Sequence, residues 1–344
     1  MYASLNANCA GGITAKAYEN VTASNSIILA TDLFGEATDG ASLTNVYTTI
    51  TSLKALPEGL DSSVWGIGTL PVTSGISVTL GDSIVLNVYA KRTVVLKAHA
   101  AQGLYVNGAF VAGGEDATVG GVAYTKYVFD SFTPADFDKV FAFAFAENAI
   151  TQKTYSIINY LVNTYKNYAS DTNLTALIEA LALYGNAMQM AKEQTPTVLA
   201  SFTSATEATI SDTYLAEKFA SVHFKTNNTS AEGMGINLYG TIAPIFEVAD
   251  GITKVEVEIY GETTTIEVVE GVAQFYGLNA TSLNNTMQVT FYAGDEVVST
   301  QRTSVACYIE TALATEGFLS DGEAVLAQAL AVYMRAARDY VGLN

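Results

Sequence analysis

The chain holds two histidines, His99 and His223, and each sits in a β-prone stretch with no cysteine or acid at ligand spacing. A catalytic or metal-binding imidazole needs a second group to fix its tautomer, so both read as structural or solvent-facing. A Ser-His-Asp arrangement is hard to build from so few histidines, and neither GxSxG nor HExxH occurs. Paired carboxylates suit glycoside hydrolysis when they flank a cleft. The candidate pairs here are Glu115 and Asp116 in Gly113-Gly114-Glu115-Asp116, and Asp295 with Glu296 after Gly294. Both read as turns, where acids are solvated. The DxDxDG calcium loop is absent.

Cys9 and Cys307 are too few and too far apart for a disulfide framework or a zinc set. Cys307 falls on an apolar helical stripe as a small core residue, and Cys9 is available to pair with another chain. The single tryptophan, Trp65, is the candidate glycan contact. Tyr160, Tyr184, Tyr308 and Tyr333 fall on repeated stripes and read as core. The sequons at Asn20, Asn173, Asn227, Asn228, Asn279 and Asn284 are expected by chance in a chain rich in Asn and Thr. No catalytic, cofactor-binding or metal residue is assigned, no cofactor is expected, and the chain does not read as an enzyme.

The elements that would carry these residues come in two copies. In the helical segments 154–194 and 303–344, Ser156, Ile157, Tyr160 and Leu161 match Ser304, Val305, Tyr308 and Ile309 at a constant offset. Tyr184 matches Tyr333 after one residue of slippage. Upstream, Phe129, Phe132 and Phe137 line up with Phe275, Leu278 and Leu283. Further back, Leu86-Asn87-Val88-Tyr89 lines up with Ile236-Asn237-Leu238-Tyr239. Three collinear blocks point to a duplication.

Each helical segment breaks once. Ser170 or Asp171 caps the second helix of the first copy, and Ser320 or Asp321 that of the second. Leu174, Leu177, Ile178, Leu181, Tyr184 and Met188 recur at helical spacing, as do Val325, Leu326, Leu330, Tyr333 and Ala337. Ahead of each helical pair the period changes to two. Residues 76–80 and 84–89 alternate around Gly81-Asp82, residues 254–260 and 264–269 around Gly261-Glu262, and residues 287–292 and 297–300 around Gly294-Asp295. The predicted fold class is α+β: tandem antiparallel β-sandwich-like modules, each followed by a helical hairpin. The predicted division is an N-terminal β-prone arm or partial module (1–70), a first module with its hairpin (71–195), a linker (196–210), and a second module with its hairpin (211–344).

The run Leu80-Gly81-Asp82-Ser83-Ile84-Val85-Leu86-Asn87-Val88-Tyr89 is followed by Tyr127-Val128-Phe129 with Phe132-Thr133-Pro134. Then come Tyr155-Ser156-Ile157 with Tyr160, and Leu181-Ala182-Leu183-Tyr184-Gly185-Asn186-Ala187. Together these blocks resemble a repeat module of large cell-surface and secreted proteins of anaerobic Gram-positive gut bacteria. The resemblance is clear over 72–195 and weak over 213–342, where Met334 replaces the Gly that follows the helix tyrosine. It implies a β-domain closed by a helical pair and an extracellular or cell-surface setting, and its motif is structural.

Composition narrows the function. The sequence has 344 residues, with 34 acids against 16 Lys and Arg for a formal net charge of −18, a balance that argues against nucleic acid and anionic membranes as partners. No run of 18 apolar residues occurs, so no membrane insertion is expected. The start lacks the basic and apolar regions of a secretory leader. Charged residues are only 15% and tyrosines number 20, so much of the surface is uncharged and cheap to desolvate. That suits a chain that packs against copies of itself, or an ordinary β-protein of an acidic proteome. The expected function is a non-enzymatic extracellular structural protein, a self-assembling subunit of a surface layer or filament. Its homo-oligomer would form through strand addition and Tyr/Thr-rich surfaces. The alternative is a glycan- or host-protein-binding adhesin module.

Overall fold

The computed structural model describes residues 67–80, 83–96, 103–144, 153–210, 212–222, 224, 231, 233–237 and 242–343. The fold is α+β, with antiparallel sheets and α-helices. The described residues fall into two units: 67–77, 87–129 and 140–155 in one, and 78–86, 130–139 and 156–343 in the other. The helices among the described residues all fall in the second unit, including the pair expected to close the first module.

The strands of the first copy are β1 (Ile67–Leu80), β2 (Ile84–Leu96), β3 (Leu104–Val106), β4 (Ala109–Ala112), β5 (Glu115–Val119), β6 (Val122–Phe129), β7 (Phe141–Ala144) and β8 (Lys153–Tyr155). They form two sheets, ordered β1-β2-β6-β5 and β4-β3-β7-β8. Period-two alternation turns Tyr127 and Phe129 of β6, Leu104 and Val106 of β3, and Phe141 and Phe143 of β7 inward, where all are buried. Phe129 meets Phe141 edge-on at 5.0 Å and Phe143 at 6.3 Å, the aromatic geometry that adds most to plain burial. Glu115 and Asp116 do not form the expected turn. They open β5, in register with Lys126 and Thr125 of β6, and the chain turns instead at Gly120-Gly121, both at positive φ.

The second unit contains α1 (Ile157–Asn167), α2 (Thr172–Ala191), α3 (Val198–Thr206) and α4 (Asp212–Ala220). After β9 (Met234–Asn237), β10 (Ala243–Glu247), β11 (Lys254–Ile259), β12 (Glu262–Glu267), β13 (Val272–Gln274), β14 (Met287–Ala293) and β15 (Glu296–Thr303) it ends with α5 (Val305–Ala314) and α6 (Asp321–Tyr340). The stretch 196–210, expected as a linker, carries α3, because Val198 and Phe202 stand one turn apart and are fully buried. The sheets are ordered β9-β10-β13 and β12-β11-β14-β15. Val255, Val257, Met287 and Val289 fill the inner face. The β11–β12 turn is Tyr260-Gly261, one residue earlier than the sequence suggests. Both residues have positive φ, 58° and 81°, as a two-residue turn matching the strand twist requires.

Strand order repeats between the copies. β4-β3-β7-β8 has the same connectivity as β12-β11-β14-β15, and β1-β2-β6 the same as β9-β10-β13. The topological counterpart of β2 is therefore β10. Matching residues 86–89 with 236–239 is one strand out, since Ile236 and Asn237 lie on β9. Both strands of a hairpin alternate alike, so a short Asn-x-Tyr match cannot choose between them.

The helical pairs repeat down to single hydrogen bonds. Ser156 caps α1 by accepting from Asn159 N, and Ser304 caps α5 by accepting from Cys307 N. Ile158 N donates to Phe137 O, and Ala306 N to Leu283 O. Asp171 caps α2 and Ser320 caps α6, settling both alternatives left open by the sequence. A 3₁₀ turn precedes each pair, at Pro134–Asp136 and Ala280–Ser282. Gln189 Nε2 donates to Ala135 O at 3.0 Å, and Arg338 donates to Thr281 O at 2.7 Å. Each last helical turn is thereby tied to the 3₁₀ turn of its own copy.

α2 and α6 pack against each other. Tyr184 and Tyr333, which occupy matching positions, stack with ring centroids 5.5 Å apart and planes 18° from parallel. Asn173 Nδ2 donates to Asp339 O at 3.2 Å. Reciprocally, a Cβ on Gly322 would lie 2.9 Å from Met190 O. Asn173 corresponds to Gly322 and Met190 to Asp339 by the shift that relates the two tyrosines. The seam is thus isologous, as in a two-fold dimer.

Candidate functional site

The structure groups few of the residues singled out in the sequence. Trp65, His99, His223 and Cys9 lie outside the described residues. Cys307 is half-buried at the start of α5 and forms no disulfide; burial pushes its thiol pKa up, which suppresses the reactive thiolate. Glu115 is exposed and pairs with Lys126 at 2.9 Å. Lys126 is raised above its usual pKa by that hydrogen bond. Asp295 lies in the β14–β15 turn and Glu296 opens β15. Among the described residues no group of three His, Cys, Asp or Glu could hold a metal ion. Among them, too, no helix is long and apolar enough to cross a membrane.

Of the four stripe tyrosines, Tyr184 and Tyr333 are core, and burial pushes both phenols up. Tyr160 and Tyr308 are half-buried. None offers a flat exposed platform. Among the sequons, Asn279 caps a 3₁₀ turn and Asn284 is buried.

Two polar clusters tie helices together. Glu179 of α2 accepts from Tyr165 Oη of α1 at 3.2 Å and from Tyr214 Oη of α4 through a short hydrogen bond. Burial first, and then Glu179, push the Tyr214 phenol up, so it stays a donor. The second cluster joins Asp138, Gln189 and Thr197. Thr197 Oγ1 donates a short hydrogen bond to Asp138 Oδ2, and Gln189 Oε1 accepts from Thr197 N at 2.7 Å and Val198 N at 3.1 Å. The cluster is hidden while 196–210 reads as a linker. The available signal was Pro196-Thr197 ahead of an apolar pair, an ordinary helix start.

The most distinctive surface is the edge strand β15. Among the described residues it pairs with β14 alone, through seven residue pairs and a bulge at Val298. All of Glu296–Thr300 is exposed, with Val297 at 54% and Val298 at 56%. The outer row of backbone donors and acceptors on an edge strand is a template for another strand unless charge, proline, brevity or a bulge blunts it, and β15 has one bulge, at Val298. Here the charges stand near the two ends, at Glu296 and Arg302. The topologically matching edge, β8, has three residues among those described. The adjoining sheet face is held rigid: Tyr292 Oη donates to Glu256 at 2.6 Å, and Lys254 Nζ lies 4.5 Å from the Tyr292 ring centre. The hydrogen bond to Glu256 raises the Tyr292 phenol.

No family model matches this chain, and no curated protein and no solved structure matches it.

Proposed function

We propose that the chain is a non-enzymatic structural subunit of an extracellular or cell-surface assembly, built from two tandem sandwich-like modules that each end in a helical hairpin. The repeated strand order and helix ties support the tandem reading. The single observation that carries the functional reading is the β15 edge, long, uncharged between Glu296 and Arg302, and exposed on both faces. Natural edges of this kind are paired or protected. The partner is a second copy of the chain, whose residues 1–50 supply the added strand; Ser26–Leu29 and Asn45–Tyr47 are the β-prone pieces of that segment.

The reading predicts self-association that grows with concentration and with ionic strength, because a net charge of −18 opposes assembly until salt screens it. Deleting residues 1–50 should weaken assembly and leave the circular dichroism of the folded modules intact. Electron microscopy and light scattering provide the test: a monodisperse monomer at high concentration and high salt refutes the proposal.

A further inference from the structure

We propose that Gln189 and Thr197 react to form a side-chain ester, cross-linking the end of α2 to the start of α3. The groups that acyl transfer needs converge at this point. The nucleophile is Thr197 Oγ1, already donating a short hydrogen bond to Asp138 Oδ2, the arrangement of a hydroxyl beside its base. The acyl group is the Gln189 carboxamide, in a residue 4% exposed. Its Oε1 accepts from Thr197 N at 2.7 Å and Val198 N at 3.1 Å. Two backbone N–H groups at the start of α3 therefore polarise the carbonyl and stabilise the negative charge of a tetrahedral adduct. Its Nε2 lies 3.3 Å from Asp138 Oδ1, 3.3 Å from Thr197 Oγ1 and 3.0 Å from Ala135 O.

The step balances without a co-reactant. Oγ1, now beside Nε2, moves onto the face of Cδ. As the Oγ1–Cδ bond forms, Asp138 takes the hydroxyl proton through Oδ2. Collapse of the adduct breaks Cδ–Nε2, Asp138 returns the proton to that nitrogen through Oδ1, and ammonia leaves. An ester remains, the carboxylate is regenerated, and dilution of ammonia drives the reaction forward. The second copy provides an internal contrast. Arg338 makes the same tie to its 3₁₀ turn with no acyl group, so the tie alone does not call for a carboxamide. The cross-link would lock α3, whose Val198 and Phe202 are buried, to the end of α2.

Intact-mass spectrometry of the denatured full-length protein is the test. The expected mass is about 17 Da below the sequence mass, the ammonia expelled when a hydroxyl displaces the nitrogen of a carboxamide. Tandem spectra should place the loss on a branched peptide joining Gln189 and Thr197. Thr197→Val and Asp138→Asn should restore the full mass. Thr197→Ser, which keeps the hydroxyl and the helix start, should retain the loss and so separates chemistry from misfolding. A wild-type protein at its full sequence mass overturns the proposal. So does a loss that persists in Thr197→Val, or conversion of Gln189 to Glu by water.

Discussion

The residue after the stacked tyrosine is Gly185 on α2 and Met334 on α6, and the two helices meet their surroundings differently there. A Cβ at Gly185 would lie 2.9 Å from both Phe137 Cδ2 and Pro134 O. Met334 instead fits a whole side chain at 1% exposure. The serine caps of α1 and α5, the main-chain bonds to Phe137 and Leu283, and the ties of Gln189 and Arg338 to the 3₁₀ turns nevertheless correspond. Helix closure is thus fixed by a few polar ties, while the packing distance behind it adjusts to the side chain available. Among the described residues the sheet edges differ more sharply, three residues in β8 against eight in β15. Closure is common to the copies, and outward-facing surface is where they diverge.

The contrast can be broken by exchange. Met334→Ala should open a cavity and cost about 2–5 kcal/mol in urea unfolding. Gly185→Ala should cost roughly 1–3 kcal/mol, since Phe137 can yield but the Pro134 carbonyl is backbone. A Gly185→Ala variant as stable as the wild type would show that α2 does not need its close approach. Removing the cap of α5 with Ser304→Ala should cost about 1–2 kcal/mol, because Ser304 is fully buried and its loss leaves Cys307 N unpaired.

The smallest effect distinguishes the long helices by pH. Ser320 and Glu323 form a capping box on α6, and the hydrogen bond from Ser320 N holds the Glu323 carboxyl below its usual 4.5. A pKa depressed in the folded state gives stability that is present above the unfolded value and lost as pH falls through the folded one. The wild type should therefore lose more stability than Glu323→Gln between neutral pH and the range below 4.5. Equal acid sensitivity of the two proteins would remove the box from the account. On α2 the matching position is Leu174, so no box exists there to titrate.

Much of this architecture was legible in the sequence, for identifiable reasons. Helix stripes and their Ser and Asp caps announce themselves locally, and the β14–β15 turn falls at Gly294-Asp295 as spacing suggests. Glu115-Asp116 misled because a glycine pair ahead of two acids resembles a turn, although solvent-facing acids also suit an edge strand. The hairpin mismatch arose because alternation is common to both strands. The exposure of β15 could not be read at all: Val297-Val298 looks like core until the sheet order places it at an edge. The Asp138–Gln189–Thr197 cluster joins three separate segments, and no local pattern brings them together.

Light scattering of the wild type and Val298→Lys across concentration and salt tests the assembly reading most directly. The account predicts that wild-type mass rises with both variables, while Val298→Lys, with a charge in the middle of β15, stays monomeric and folded. A wild type that remains monomeric throughout, or a Val298→Lys variant that assembles equally well, would contradict it.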